Sequence, residues 1–476
     1  GAAMFPKIVR AGEKEAERHE APEDLDDKTR RQYLAIMQYL MDREFIETLS
    51  AFESETGLKY NEGSVPVASV LETSLDMFAS YSKGKDASKP TADEELLQVE
   101  EGICCTAQSP MTPKEAIKTN VIAVAWAALR EDDLTALVAT ADRRLRLLGS
   151  DGSALAEFTS LSSPVLGLDV SPSSASAAAR TAGQEVLATA MGGEVVLLHL
   201  RRPLSAAGDE DDAAFALELK QQFKDHTKHA TAGRFAPPRE DGSLSLNFVT
   251  ISRDRKANLY SRESEADDGG AAKFVLSGSV SFVGEVTCCC WASARTFVLA
   301  ARDDHHLHYW DVGEGPADQP SLRLKTSLNA NNDGVVSFAV LAIATSPDHQ
   351  LIAACTDKSR VIVLKAFTNV QLRNLYGAVV DEYDVPSISF SLDRCFLYAT
   401  SSIAAQALAK RQQDESERAG NSVTRAAECG KVAIFEVKSG QLVLQLHCHE
   451  KPVRCMQRHP HTEAIITGSF DKAVKY

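Results

Sequence analysis

The sequence predicts a mainly β fold: a ring of about seven antiparallel blades preceded by a small α-helical module. Three observations predict it. A unit of strand, Asp turn and strand recurs along most of the chain. Its turns mostly stand ~40–60 residues apart, the period of a propeller blade. Before the first unit, apolar residues fall instead at helical spacing.

The clearest copies of the unit are LVATADRRLRLL (137–148), FVTISRDRKANLY (248–260), FVLAARDDHHLHYWD (297–311), IAACTDKSRVIVL (352–364) and IITGSFDKAVKY (465–476). Val, Ile, Leu, Phe and Tyr alternate with polar or small residues, as in a half-buried strand. Asp142, Asp254, Asp304, Asp357 and Asp471 mark the turns, where a short carboxylate caps nearby backbone N–H groups. Two weaker copies fill the series. VLATAMGGEVVLL (186–198) places glycines at the turn, and FLYAT (396–400) pairs with GKVAIF (430–435) across an insertion. An earlier strand precedes each unit, at Ile122–Trp126, Val165–Val170, Val286–Trp291, Val340–Thr345, Ser387–Ser391 and Val453–Gln457, and for the third unit near Thr231–Phe235. Ser171-Pro172, Ser346-Pro347 and Ser391-Leu392-Asp393 supply turns after several of these strands.

This pattern resembles the WD40 family. Tyr309-Trp310-Asp311 is close to that family's Trp-Asp signature, and Gly468–Lys475 to its second-to-third-strand turn. The resemblance implies a structural hydrogen-bond set of a His, a strand Ser or Thr, the turn Asp and a Trp. Only the last blade is expected to carry most of it, through His449, Thr467 or Ser469, and Asp471, with Cys448 where the family has Gly. The other blades are expected to rely on apolar packing.

The last blade shows three strands, and a propeller removes its open edge by borrowing a strand from the other end of the chain. Ile103, Cys104, Cys105 and Thr106, just upstream of the first blade, are expected to close the ring. The propeller is thus assigned to 99–476.

Residues 25–98 read as helical. Leu34, Met37, Tyr39, Leu40, Phe45, Ile46, Leu49 and Phe52 give apolar faces on two short helices, Gly57 suits a C-cap, and Ser64-x-Pro66 suits the start of a third. Thr91-Ala92-Asp93-Glu94 reads as a capping box. Segment 36–57 resembles the LisH dimerisation motif through Tyr39-Leu40, Phe45, Thr48, Phe52 and Glu55; it departs at Glu44 and Leu49. The resemblance implies pairing of helices between two chains through Ile36, Tyr39, Leu40, Phe45, Leu49 and Phe52. Independently, two short helices bury so many large apolar groups only against a partner. That partner is a second copy or the chain's own propeller. Residues 1–24 read as a tag remnant (Gly1-Ala2-Ala3 before Met4) and a disordered N-terminus.

Composition narrows the function. The chain has 476 residues, 44% hydrophobic and 25% charged, with a formal net charge of −15. That charge opposes broad binding to nucleic-acid backbones or anionic membranes. No apolar stretch is long enough to span a bilayer and no secretory signal opens the chain. Ten cysteines without a CxxC pair suggest reduced thiols and a cytoplasmic or nuclear location. Cys288-Cys289-Cys290 and His305-His306-x-His308 hold metal-ligand atoms. Both runs are expected on strands, where neighbours point to opposite faces, so no metal is expected. No phosphate loop, GxSxG elbow or HExxH occurs, and neither an enzyme, a cofactor nor a small-molecule substrate is expected. The 403–428 insertion, with Lys410, Arg411 and Arg418, reads as a partner-binding element or as a tolerated loop. The expected function is a non-catalytic adaptor that presents dimerised propellers to protein partners. The rival is a monomeric propeller that reads a peptide or modified tail, as in a chromatin or corepressor subunit or a ubiquitin-ligase substrate receptor.

Overall fold

The computed structural model describes residues 33, 37, 46–56, 58, 96–97, 110–111, 117–127, 134–172, 183–201, 215–239, 241–243, 247–263, 273–313, 319–329, 338–380, 384–402 and 430–476. The chain divides into two compact units, Gly1–Thr91 and Ala92–Tyr476. In the first, the described helix is α1 (Ile46–Thr56). Leu49 and Met37 are buried, and Tyr33 meets Phe52 edge to face at 5.5 Å. Ile36, Tyr39, Leu40 and Phe45, and the whole of 1–24, lie outside the described residues.

The second unit is a ring of seven four-stranded antiparallel sheets. Blade 1 is β2 (Val121–Trp126), β3 (Ala136–Thr140), β4 (Arg144–Leu148) and β5 (Ala154–Phe158). Blade 2 is β6 (Val165–Val170), β7 (Gln184–Ala190), β8 (Val195–Arg201) and β9 (Ala216–Phe223). Blade 3 is β10 (Ala230–Phe235), β11 (Phe248–Ser252), β12 (Lys256–Arg262) and β13 (Phe274–Ser281). Blade 4 is β14 (Val286–Ser293), β15 (Thr296–Ala301), β16 (His306–Asp311) and β17 (Ser321–Ser327). Blade 5 is β18 (Val340–Thr345), β19 (Leu351–Thr356), β20 (Arg360–Lys365) and β21 (Gln371–Tyr376). Blade 6 is β22 (Ile388–Phe390), β23 (Phe396–Ser402), β24 (Gly430–Glu436) and β25 (Leu442–His449). Blade 7 is β26 (Val453–Arg458), β27 (Ile465–Ser469) and β28 (Val474–Lys475), completed by β1 (Pro110–Met111).

Alternation along the second strand of each blade builds the ring. Leu137 and Ala139 of β3 face blade 2, while Ala136 and Val138 face blade 7. Ala353 and Cys355 of β19 pack against blade 6, while Ile352 and Ala354 pack against blade 4. Successive side chains of a strand point to opposite faces, so a strand wedged between two blades is apolar throughout. The buried apolar residues fall into seven clusters, one at each contact between neighbouring blades, including blade 7 with blade 1. Polar ties cross the same joints. Trp126 Nε1 donates to Gln457 O at 3.2 Å, Trp291 Nε1 to Arg234 O at 2.9 Å and Thr287 Oγ1 to Val340 O at 2.6 Å.

The chain closes the ring with an N-terminal strand, but the strand described there is Pro110–Met111, in register Pro110↔Lys475 and Met111↔Val474. Ile103, Cys104, Cys105 and Thr106 lie outside the described residues. Upstream, Leu97 is buried in the cluster between blades 5 and 6. Strands β23 and β24 pair without a break from Phe396↔Glu436 to Ser402↔Gly430, so the 403–429 insertion leaves blade 6 intact. Lys410, Arg411 and Arg418 fall within that undescribed insertion.

Candidate functional site: the mouth of the central channel

The second-to-third-strand turns place the charged residues at one end of the channel. In three of them the residue after the Asp is left-handed: Arg143 (φ 65), Arg255 (φ 69) and Lys472 (φ 69). Their N–H groups donate back to Thr140, Ser252 and Ser469 carbonyls at 3.1, 3.2 and 3.3 Å. Asp254 and Asp471 each accept from the backbone N–H two residues on, at 3.0 Å. The glycine turn of blade 2 does the same with Gly193 (φ 87). Asp142 accepts from Thr140 Oγ1. Asp357 works across the blade, accepting from Ala339 N at 2.9 Å. In blade 4 the left-handed residue is Asp303 (φ 62), one position before Asp304.

Two blades carry a buried His–Thr–Asp brace. His449 Nδ1 lies 2.9 Å from Asp471 Oδ2 and its Nε2 lies 3.0 Å from Thr467 Oγ1. Of the two expected partners the structure selects Thr467; Ser469 Oγ donates instead to Pro452 O at 2.9 Å. Blade 3 holds an equivalent that sequence reasoning missed: His226 Nδ1 lies 3.1 Å from Asp254 Oδ2 and its Nε2 2.9 Å from Thr250 Oγ1. A carboxylate only accepts, so in both braces the ring Nδ1–H donates to the Asp, and in blade 7 Thr467 Oγ1 also donates to Lys475 O at 3.2 Å. Burial pushes the His226 imidazole below its ordinary pKa, against the pull of Asp254. Burial alone would raise the Asp254 carboxyl, but the Thr227 N–H and His226 outweigh it and hold it low. A His ahead of the first strand, a Thr in the second and an Asp at the turn were all present in 226–254, without a preceding Gly to draw attention.

The inner strands line a channel cavity of about 360 Å³. Backbone and small apolar side chains form its wall, among them Ala123, Gly167, Ala232 and Ala342. Gly167 is required there, since a Cβ would stand 3.0 Å from the Ala232 Cα. Charge gathers where the turns border the cavity: Arg253, Arg302 and Arg454 against Glu285 and Asp384. Among the described residues, neither the exposed Arg253 side chain nor the half-buried Arg454 has a hydrogen-bond or ion-pair partner, whereas Arg302 has a further interaction. Burial, and after it the charge of Arg253, pushes the Arg454 guanidinium below its ordinary value. Both press the site toward an anion. A smaller adjoining recess of about 120 Å³ shares Asp384, Val385, Pro386 and Arg454 with the channel and adds Phe470 and Thr400. Val385 and Phe470 are 49% and 36% exposed, an apolar rim beside Arg454.

Cys288, Cys289 and Cys290 lie buried on β14, with Cys289 facing blade 3 and its neighbours facing blade 5. Burial pushes the Cys289 and Cys290 thiols up to about 12. They are packing groups, as the alternation predicts. His305, His306 and His308 do not all share that regular strand geometry, because β16 begins only at His306.

The WD40 family (WD domain, G-beta repeat) matches residues 273–311 and 440–476, which cover the last strand of blade 3 with blade 4 through β16, and the last strand of blade 6 with blade 7. No curated protein matches the chain.

Proposed function

We infer that this seven-bladed WD40-repeat propeller is a protein-interaction scaffold that seats an acidic, apolar-flanked segment of a partner at the mouth of its channel. The carrying observation is the pair of arginines, Arg253 and Arg454, unpartnered among the described residues and beside exposed Val385 and Phe470. A guanidinium left without a carboxylate in a half-buried site gains most from a ligand that brings one, because charge-assisted hydrogen bonds are strong where water is scarce. The excess of positive charge is local, since the whole chain is at −15. This selects for a segment that enters the mouth over one that spreads across the surface.

The test is fluorescence anisotropy of a labelled peptide alternating Glu with Leu, titrated with the intact chain. We expect saturable binding that weakens with salt and falls at least tenfold in the Arg253→Gln/Arg454→Gln double variant. Equal binding by the double variant would remove the mouth from the reading. Phe470→Ala separates the apolar share, because it lowers affinity without changing the salt dependence.

Homodimerisation through 25–98 belongs to the same proposal and doubles the mouth by avidity. It is supported by the separate clustering of Gly1–Thr91 and by the half-buried Phe52 on α1. Light scattering of the intact chain against a chain starting near Glu94 tests it, and a monomeric intact chain ends it. The 403–428 insertion is tested by deleting 405–425 and repeating partner capture.

A further inference from the structure

We propose that the turn Asp304–His305–His306 of blade 4 binds one divalent transition-metal ion of the zinc class. A carboxylate oxygen and two imidazole nitrogens here all lie within 4.8 Å of one another. His306 Nδ1 stands 2.7 Å from Asp304 Oδ1. Two ligands each ~2 Å from a common zinc stand about 3 Å apart, so a small opening of this pair admits the ion.

The second, independent observation is His305. It is only 8% exposed, and its Nδ1 is buried with no hydrogen-bond partner among the described residues. A buried imidazole nitrogen without a partner carries an unmet desolvation cost, which a metal bond would remove. The His305 and His306 rings lie 4.1 Å apart at 35°. An imidazole offers a metal the lone pair of whichever ring nitrogen is unprotonated.

The surroundings hold the carboxylate in place. Its second oxygen, Oδ2, lies 2.7 Å from His308 Nε2, and His306 N–H donates to Oδ1 at 3.0 Å. His308 is itself buried against Phe282, edge to face at 5.0 Å. This is the arrangement by which outer groups orient a metal-binding carboxylate. Entry of the ion at His306 Nδ1 requires the proton that this nitrogen donates to Asp304 to leave and the ring to carry a proton on Nε2 instead, exchanged through solvent, so that a neutral imidazole and not an imidazolate ligates the ion. Three protein ligands leave a coordination position for water or for a partner's side chain. The strand alternation that argues against a metal in the HHxH run does not reach Asp304 and His305, which precede β16.

The test uses the intact chain, stripped with a chelator and titrated calorimetrically with Zn²⁺, then with Co²⁺ followed by visible absorption. We expect one equivalent bound, at least tenfold weaker in both His305→Gln and His306→Gln, with far-ultraviolet dichroism unchanged. The Co²⁺ complex should show d–d bands without the sulfur-to-cobalt charge transfer that a cysteine site gives. Undiminished binding by both variants, or no stoichiometric binding by the intact chain, overturns the proposal. Where a variant fails to fold, the spectrum of the unaltered chain decides, and thiolate charge transfer overturns it.

Discussion

His226 and His449 show how little sequence a structural brace needs. Each ties a loop ahead of one blade to the second strand and the turn of that blade. His226→Ala strands Thr250 and Asp254 in a buried setting, and should cost about 1–3 kcal/mol in urea unfolding. The same residue sets a pH dependence. Burial holds the folded His226 pKa below 6.5, so as pH falls through 6.5 the unfolded chain takes up its proton first. Its contribution is complete above 6.5 and declines below it, down to the folded pKa. Asp254 and Asp471 act at lower pH, since their folded pKa values lie below 3.8 and their contribution is lost only as pH falls through those values. The drop in urea midpoint between pH 7.5 and 5.5 should therefore be smaller in His226→Gln than in the unaltered chain. At this scale the sequence was partly legible. His449 could be read because the Gly468–Lys475 turn announces it, whereas His226 sits in a polar stretch whose role only the distance to Thr250 reveals. The buried thiols were legible as packing groups. Cys289, Cys290 and Cys355, all pushed up to about 12 chiefly by burial, should resist iodoacetamide at pH 8 until the chain is denatured, as read by peptide mass spectrometry.

Among the elements, the second strands were the easiest to find, because a strand buried on both faces leaves an unbroken apolar run. Phe248 illustrates the stake. It is fully buried among Phe223, Phe235, Tyr260 and Phe274, with ring centroids 4.8–5.8 Å away. Phe248→Ala should cost about 3–5 kcal/mol by equilibrium unfolding, as a large cavity between two blades cannot collapse. The outer strands were nearly invisible from sequence. β17 (SLRLKTS) is mostly and β9 (ALELKQQF) half exposed, so little apolar pattern marks them, and backbone pairing does most to fix them. The turns were legible by their Asp but not by their strain. Lys472 adopts φ 69, where a β-branched side chain is crowded, so Lys472→Val should destabilise by about 1–2 kcal/mol. Lys472→Gly should be close to neutral in the same assay.

For the whole molecule, the number of blades and the principle of closure could be read, while the closing residues could not. Ile103–Thr106 attracts attention by its apolar character. The closing position is an outer strand, which needs only backbone groups aligned with β28 and not a buried side chain. Pro110 lacks an N–H, a loss that an edge tolerates. A chain starting at Thr112 should melt at a lower temperature and self-associate through the bared edge of β28, beyond any loss produced by Leu97→Ala alone. Scanning fluorimetry and size-exclusion chromatography would read this, and an unchanged midpoint would make β1 dispensable. The same pairing has a consequence for biosynthesis. β1 leaves the ribosome before the described blade strands, and its partner β28 leaves after them, so this stitch forms only once the strands of the seven blades have been made. Throughout translation the nascent chain carries an orphan strand past a succession of temporarily open sheet edges. The two described residues of β1, one of them proline, offer those edges few donors for early capture.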